Sequence, residues 1–254
     1  WHYAAVKGGS VLRQMLRAAD GASALLAVSA TLRRDMAALG MPGDRIHLHY
    51  TGLDRTCFSV TDRQAARQSL ALDERLPIPD DGPLLVTPGA LIPRKGQRIA
   101  IDALSRLPGA RLVLAGAGPD EENLRRYARQ LGVAGRLHLA GLVPHDRLAI
   151  LFSAADAVVL PSQSEGLANA WVEALACGAP LVIPDIGGAR EVVTGPAAGR
   201  IAARDGGAIA EAVRALLDDP PSQAAVAAHA APFSWKRNAE SLAAIWRKAA
   251  GKRG

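Results

Sequence analysis

Short apolar runs alternate with apolar positions at helical spacing along most of this 254-residue chain. From Pro83 onward the order is regular. Residues 84–87 read as a strand, and 97–107 as a helix with Ile99, Ile101, Ala103, Leu104 and Leu107 turned inward. A strand over 111–115 follows. Next, Leu124, Tyr127, Ala128 and Leu131 stand at helical spacing, with Pro119, Asp120, Glu121 and Glu122 as the first turn and Gly132 as the stop. Strand 136–140, helix 146–154, strand 157–160, helix 167–177 and strand 180–183 continue the series. A weaker strand at 199–202 and three more helices, the last over 235–249, complete it. This alternation predicts an α/β fold, a doubly wound parallel sheet wrapped by helices on both faces.

The N-terminal stretch repeats the rhythm with a helix over 11–18, a strand over 25–28, a helix over 31–39 and a strand over 46–50. Two strands cannot bury both faces of a sheet, so residues 1–62 read as an incomplete second Rossmann-like domain. Residues 63–83 are polar, then rich in Pro and Asp, and read as a linker. The main unit spans 84–233, and 234–254 forms a terminal helix.

Composition narrows the class. Aromatic residues make up 4% of the chain, so Leu, Val, Ile and Ala must fill the core. Cys57 and Cys177 match no metal-ligand spacing, and a reducing cytoplasm is the simplest setting for them. No run of about 18 apolar residues is present; the nearest, 167–184, is broken by Asn169, Glu173, Gly178 and Pro180. The chain starts at Trp1 with neither a signal nor a transit peptide, and its start looks cut from a longer protein. The net charge of +6 suits phosphorylated substrates, an anionic membrane face or nucleic acid. Aromatic residues interleaved with the basic ones are missing, which disfavours nucleic acid.

Two common nucleotide motifs fail. In Gly116-Ala117-Gly118-Pro119-Asp120-Glu121 the third glycine of a dinucleotide fingerprint is a carboxylate, and acids crowd the helix start where a pyrophosphate would sit. Around Gly89 to Gly96, Lys95 precedes the glycine and the phosphate-loop hydroxyl is absent. Arg94 and Lys95 nevertheless stand just before a helix, whose positive end disfavours cations by roughly 0.3–1 kcal/mol each. An anion held between them and the helix would reverse that sign; a solvated surface pair is the alternative. The segment from Pro161 to Gly178 leaves a strand, turns at Gly166 and enters a helix whose free N–H groups can receive phosphate. Glu165 could be a favourable acid at that helix start. Glu173 sits among Trp171, Val172, Leu175 and Ala176, where an unpaired carboxylate would cost several kcal/mol. Sugar hydroxyls would be suitable partners.

Glu165 and Glu173, separated by seven residues, resemble the Glu-x(7)-Glu motif of the retaining GT-B glycosyltransferases of the large glycosyltransferase family 4. The neighbouring Gly89…Arg94-Lys95-Gly96, Gly116-Ala117-Gly118-Pro119, Gly141-Leu142-Val143 and Gly187-Gly188 with Glu191 match as well. Ala27-Val28-Ser29 and Tyr50-Thr51-Gly52-Leu53-Asp54 resemble the end of that family's N-terminal domain, so the likeness covers nearly the whole chain. It implies that 84–233 is the donor-binding half and 1–62 the tail of the acceptor-side domain, toward which the terminal helix packs back. Carried over by position, Arg94 and Lys95 would grip a nucleotide-sugar diphosphate, and Gly166, Leu167 and Ala168 would offer it N–H groups. Glu173 would bind the ribose, Leu142 and Val143 would lie near the base, and Glu165 would contact the transferred sugar as the catalytic residue. No metal or other cofactor is implied.

The chain departs from the family at Ala90, often Arg, and at Ala168, the second glycine after Glu165. The family's N-terminal glycine loop and histidine have no match; Lys7-Gly8-Gly9-Ser10 is a superficial likeness. The alternatives are a nucleotide-sugar binding module without turnover, or an epimerase or phosphorylase on the same fold; no cofactor-lysine motif supports the last. With little of the acceptor wall present, this chain is expected to bind nucleotide without transferring sugar. Trp235, Trp246 and the basic residues Lys236, Arg237, Arg247, Lys248, Lys252 and Arg253 would also suit peripheral contact with an anionic inner membrane face.

Overall fold

In the computed structural model, which describes residues 9–72, 78–79 and 82–251, the chain opens with α1 (Ser10–Gly21), β1 (Leu25–Ala27), α2 (Ala30–Ala38) and β2 (Ile46–Leu48). Helix α3 (Arg63–Ala71) leads to the main unit. That unit runs β3 (Leu84–Pro88), α4 (Gln97–Ser105), β4 (Arg111–Ala115), α5 (Glu121–Gln130), β5 (Leu137–Gly141), α6 (His145–Ala154), β6 (Ala157–Val159), α7 (Asn169–Ala176), β7 (Leu181–Ile183), α8 (Ala189–Val192) and β8 (Gly199–Ile201). Helices α9 (Gly206–Asp218), α10 (Gln223–Ala228) and α11 (Trp235–Ala250) follow.

Six strands form the main sheet in the order β5-β4-β3-β6-β7-β8, every pairing parallel. Alternation along the strands divides their side chains between two cores. Val86, Val113, Val158, Leu181 and Ile183 join Phe152, Trp171 and Leu175 on one face. Leu85, Leu112, Leu114, Val159 and Val182 join Ile101, Leu104, Leu124, Ile209 and Val213 on the other. Phe152 and Trp171 are fully buried; truncating side chains of this size to Ala costs about 3–5 kcal/mol.

Local signals set the helix starts. The Ser29 hydroxyl accepts a hydrogen bond from the Leu32 N–H, and the Asp62, Asp205, Ser222 and Ser234 side chains cap α3, α9, α10 and α11 in the same way. Glu121 and Glu122 occupy the first turn of α5, where the helix dipole favours acids.

Strands β1 and β2 pair in parallel as a separate two-stranded sheet, Leu25 opposite Ile46. Ala19, Ala27, Met41 and Ile46 form a small core of their own beside it, while Leu26 and Val28 stay 41% and 36% exposed. The segment expected to be a linker departs from that expectation in its first part. Residues 63–71 form α3, whose Ala66 and Leu70 are buried in the main core together with Leu53 and Phe58. Arg63 and Arg67 clamp α3 to Asp156, at 3.3 and 2.5 Å, and Asp156 also accepts from the Leu84 N–H. Polar composition hid this because the arginines serve a half-buried carboxylate rather than solvent. The rest of that segment lies partly outside the described residues.

Helix α11 lies against the N-terminal unit. Asn238 Nδ2 donates to the Tyr50 carbonyl at 2.7 Å, and a side chain at Gly52 would collide with the Trp235 ring. Trp235 and Trp246 remain 58% and 66% exposed. Lys252 and Arg253 lie outside the described residues. Among the described residues no helix is long and apolar enough to cross a membrane.

Candidate functional site

The strand order reverses direction between β3 and β6, and doubly wound sheets bind ligands in the crevice beyond the carboxyl ends of the strands at that point. The two loops leaving these strands carry Arg94 and Lys95 from β3 and Glu165 and Gly166 from β6. They are stitched to each other. The Gln163 N–H donates to the Arg94 carbonyl at 2.8 Å, and the Arg94 guanidinium donates to the Ser164 carbonyl at 2.7 Å. Gly96 turns with φ +77°, and a side chain there would lie 2.2 Å from the Pro161 carbonyl oxygen, so only glycine permits this approach.

A third loop braces the first from behind. A side chain at Gly116 would meet the Gly89 carbonyl oxygen at 2.0 Å, and one at Gly118 the Leu91 carbonyl oxygen at 2.4 Å. Leu91 in turn donates to the Ala117 carbonyl and accepts from the Asp120 N–H. The Gly-Ala-Gly segment is therefore a packing device under the β3 loop.

Between these loops and the N-terminal unit lies a cleft of 520 Å³ lined by Val28, Leu32, Asp35, Arg94, Gln163, Ser164, Glu165, Gly166, Ile186 and Gly187. Lys95 Nζ reaches Glu165 Oε1 at 2.6 Å, with 19% and 12% of the two side chains exposed. The anion expected between the cations and the helix is matched within the protein by Glu165. Residues 93–95 form a short turn ahead of Gly96 rather than abutting α4 directly. The N–H groups of Gly166, Leu167 and Ala168 make no hydrogen bond among the described residues, and α7 begins after Ala168 without a side-chain cap. A row of unbonded donors ahead of a helix start has the chemistry to receive an anion.

Glu173 lies within α7, and the charge of His145, at the start of α6, acts on its carboxyl. Its carboxylate makes no hydrogen bond or ion pair among the described residues. Burial pushes its carboxyl above the ordinary carboxylate range, with the charge of His145 pulling the other way. Leu142 and Val143 follow β5, where Gly141 bridges to Gly116 and turns with φ +63°. Leu142 is 84% exposed, and Val143 packs on the core. Arg94, Lys95, Glu165 and Gly166 are thus brought together, whereas Leu142, Val143 and Glu173 do not line the same cleft. Leu32, Asp35, Gln163, Ser164 and Ile186 line it without having been singled out. Their only signal was position, at strand ends and on the face of α2.

The Glu191 carboxylate receives the Ala30 N–H at 2.9 and 3.1 Å and the Tyr50 hydroxyl at 2.6 Å. Burial and the Glu191 charge push the Tyr50 phenol up to about 12. Glu191 lies three residues beyond Gly188, whose N–H donates to the Gly166 carbonyl at 2.6 Å. This short stretch joins the glutamate loop to the N-terminal unit. Among the described residues no group of three or more His, Cys, Asp or Glu is placed to hold a metal ion.

Fold and cleft together define a doubly wound α/β domain with a cleft at its switch point, consistent with one Rossmann-like half of a GT-B-like architecture. The chain belongs to the glycosyl transferases group 1 family, whose model matches residues 69–231. It is 35% identical over 225 residues to the D-inositol 3-phosphate glycosyltransferases of Mycobacterium tuberculosis and Mycobacterium bovis. That match covers 82% of this chain and 45% of theirs, so the chain spans about half the length of these curated relatives. Among solved structures, sucrose-phosphate synthase from Thermosynechococcus elongatus superposes with a TM-score of 0.83 at 22% identity, over 94% of this chain and 61% of that one. Anabaena HepE in complex with UDP and glucose gives 0.82 at 22%, over 94% and 67%. The C-terminal domain of a glycosyl transferase group 1 protein from Francisella tularensis gives 0.57 at 21%, over 70% of this chain and 93% of that one. At these identities the structures speak for the fold.

Proposed function

We propose that this chain supplies the donor half of a retaining, metal-independent glycosyltransferase of family 4, taking a sugar from a nucleotide-diphosphate sugar. The observation that carries it is the cleft at the switch point, where Lys95, Arg94 and Glu165 converge beside the free N–H groups of 166–168. A diphosphate seated there is neutralised by the two cations and the N–H row, which stabilises the charge that grows on the leaving group. By resemblance to the Glu-x(7)-Glu motif, Glu165 faces the sugar hydroxyls, and Glu173, beyond the lining of this cleft, takes the ribose. The base lies toward Leu142 and Val143. HepE was solved with UDP and with UDP-glucose, which supports a nucleotide sugar as donor. Residues 84–233 form the donor domain, and the acceptor side begins with Val28, Leu32 and Asp35 across the cleft.

The test is calorimetric titration of nucleosides and nucleoside diphosphates into Lys95→Ala and Arg94→Ala. Each variant is expected to weaken diphosphate binding by about tenfold, one charge-assisted hydrogen bond, and to leave nucleoside binding unchanged. Equal losses for both ligands would show that these residues do not touch phosphate. Release of free nucleotide from a nucleotide sugar only when an acceptor is added separates transfer from binding alone.

A further inference from the structure

Lys95 has an anion of the protein's own beside it. Its ammonium lies 2.6 Å from Glu165 Oε1, and both side chains are largely withdrawn from water. A diphosphate arriving at Lys95 brings a second anion beside the first. Glu165 has little room to retreat through its backbone. A side chain at Gly187 would meet the Glu165 carbonyl oxygen at 2.1 Å, and the Gly188 N–H holds the Gly166 carbonyl at 2.6 Å. The conflict therefore falls on the Glu165 side chain.

The two ligands of the site differ in what they offer that side chain. A spent nucleoside diphosphate shares Lys95 and leaves two anions adjacent with nothing donated to the carboxylate. The intact sugar ester brings hydroxyl groups that donate to Glu165 as it gives up Lys95. We infer that the Lys95–Glu165 pair is a discriminator: Glu165 acts as a built-in competitor for Lys95 that only a sugar-bearing nucleotide compensates, so the site prefers donor over spent nucleotide. This rests on the reading of Lys95 as a diphosphate ligand.

The experiment titrates UDP, GDP, ADP and their glucose esters into the wild-type chain and follows the tightest-binding pair into variants shown to be folded by thermal melting. Glu165→Gln removes the competing charge. It is expected to tighten the nucleoside diphosphate about five- to tenfold, from relief of like-charge repulsion in a partly buried site, and to weaken the sugar ester. Glu165→Asp keeps the charge and is expected to show no tightening. Unchanged or weaker diphosphate binding in Glu165→Gln, alongside weaker binding in Lys95→Ala, overturns the discriminator and leaves the donor site standing. Lys95→Ala without effect, or no binding of any of the six ligands to the wild type, removes both.

Discussion

Glu173→Gln should make the empty protein more stable and a poorer nucleotide binder. The carboxylate is half-buried among apolar neighbours, has no hydrogen-bond or ion-pair partner among the described residues, and titrates above the ordinary range because of burial. A raised folded-state pKa means that stability is whole below the unfolded carboxylate pKa and is lost as pH rises through the folded one. At neutral pH the ionised group therefore destabilises the fold. An unpaired buried carboxylate costs several kcal/mol, and partial solvation of this one reduces that to about 1 kcal/mol. Removing it should raise the melting temperature by about 2–4 °C for a chain of this size, with the gain vanishing in acid. In the complex the sign reverses. Two ribose hydroxyls donating to a charged acceptor contribute about 1.5–3 kcal/mol each, so ribonucleotide binding should weaken at least tenfold while 2′,3′-dideoxynucleotide binding stays constant. Wild-type ribonucleotide affinity should also rise with pH through the raised Glu173 pKa. Scanning calorimetry at acid and neutral pH with parallel titrations reads all of this. A melting temperature that falls at neutral pH, or equal losses for both nucleotides, would refute the argument.

Gly96→Ala should strongly destabilise the loop pair beside the cleft. It combines a left-handed φ with a 2.2 Å collision on the Pro161 carbonyl, and a loss of about 2–4 kcal/mol in urea unfolding is expected; a loss under 0.5 kcal/mol would show that the two loops are not locked. Glu191→Gln should bring the Tyr50 phenol down from about 12 toward its ordinary 10 in a spectrophotometric titration. The associated stability is present below about pH 10, is lost as pH rises toward 12, and should be reduced in the variant; an unmoved Tyr50 titration would mean that this tether does not persist in solution.

The alternation of strands and helices was legible because burial on two faces demands it. Val86 and Leu85, or Val113 and Leu112, belong to opposite cores, and the helices over them carry apolar positions at their own period. The glutamate pair, the cation pair and the glycine motifs were also visible, since residue type and spacing are properties of the chain itself. What those residues face was not. Spacing along a strand cannot show that Lys95 and Glu165, seventy positions apart, meet at 2.6 Å. That contact follows from the strand order, which sets β3 beside β6 and turns both loops into one crevice. Nor could it show that Arg63 and Arg67 serve Asp156 and make a helix of a presumed linker. The Gly-Ala-Gly segment read as failed nucleotide chemistry and proved to be backbone packing, because a missing Cβ records only that something comes close. The sequence by itself determined which groups are available and the period of their burial. The tertiary structure decided their partners, because a carboxylate's partner is set by distance in space, and distance in space is set by the order of the strands.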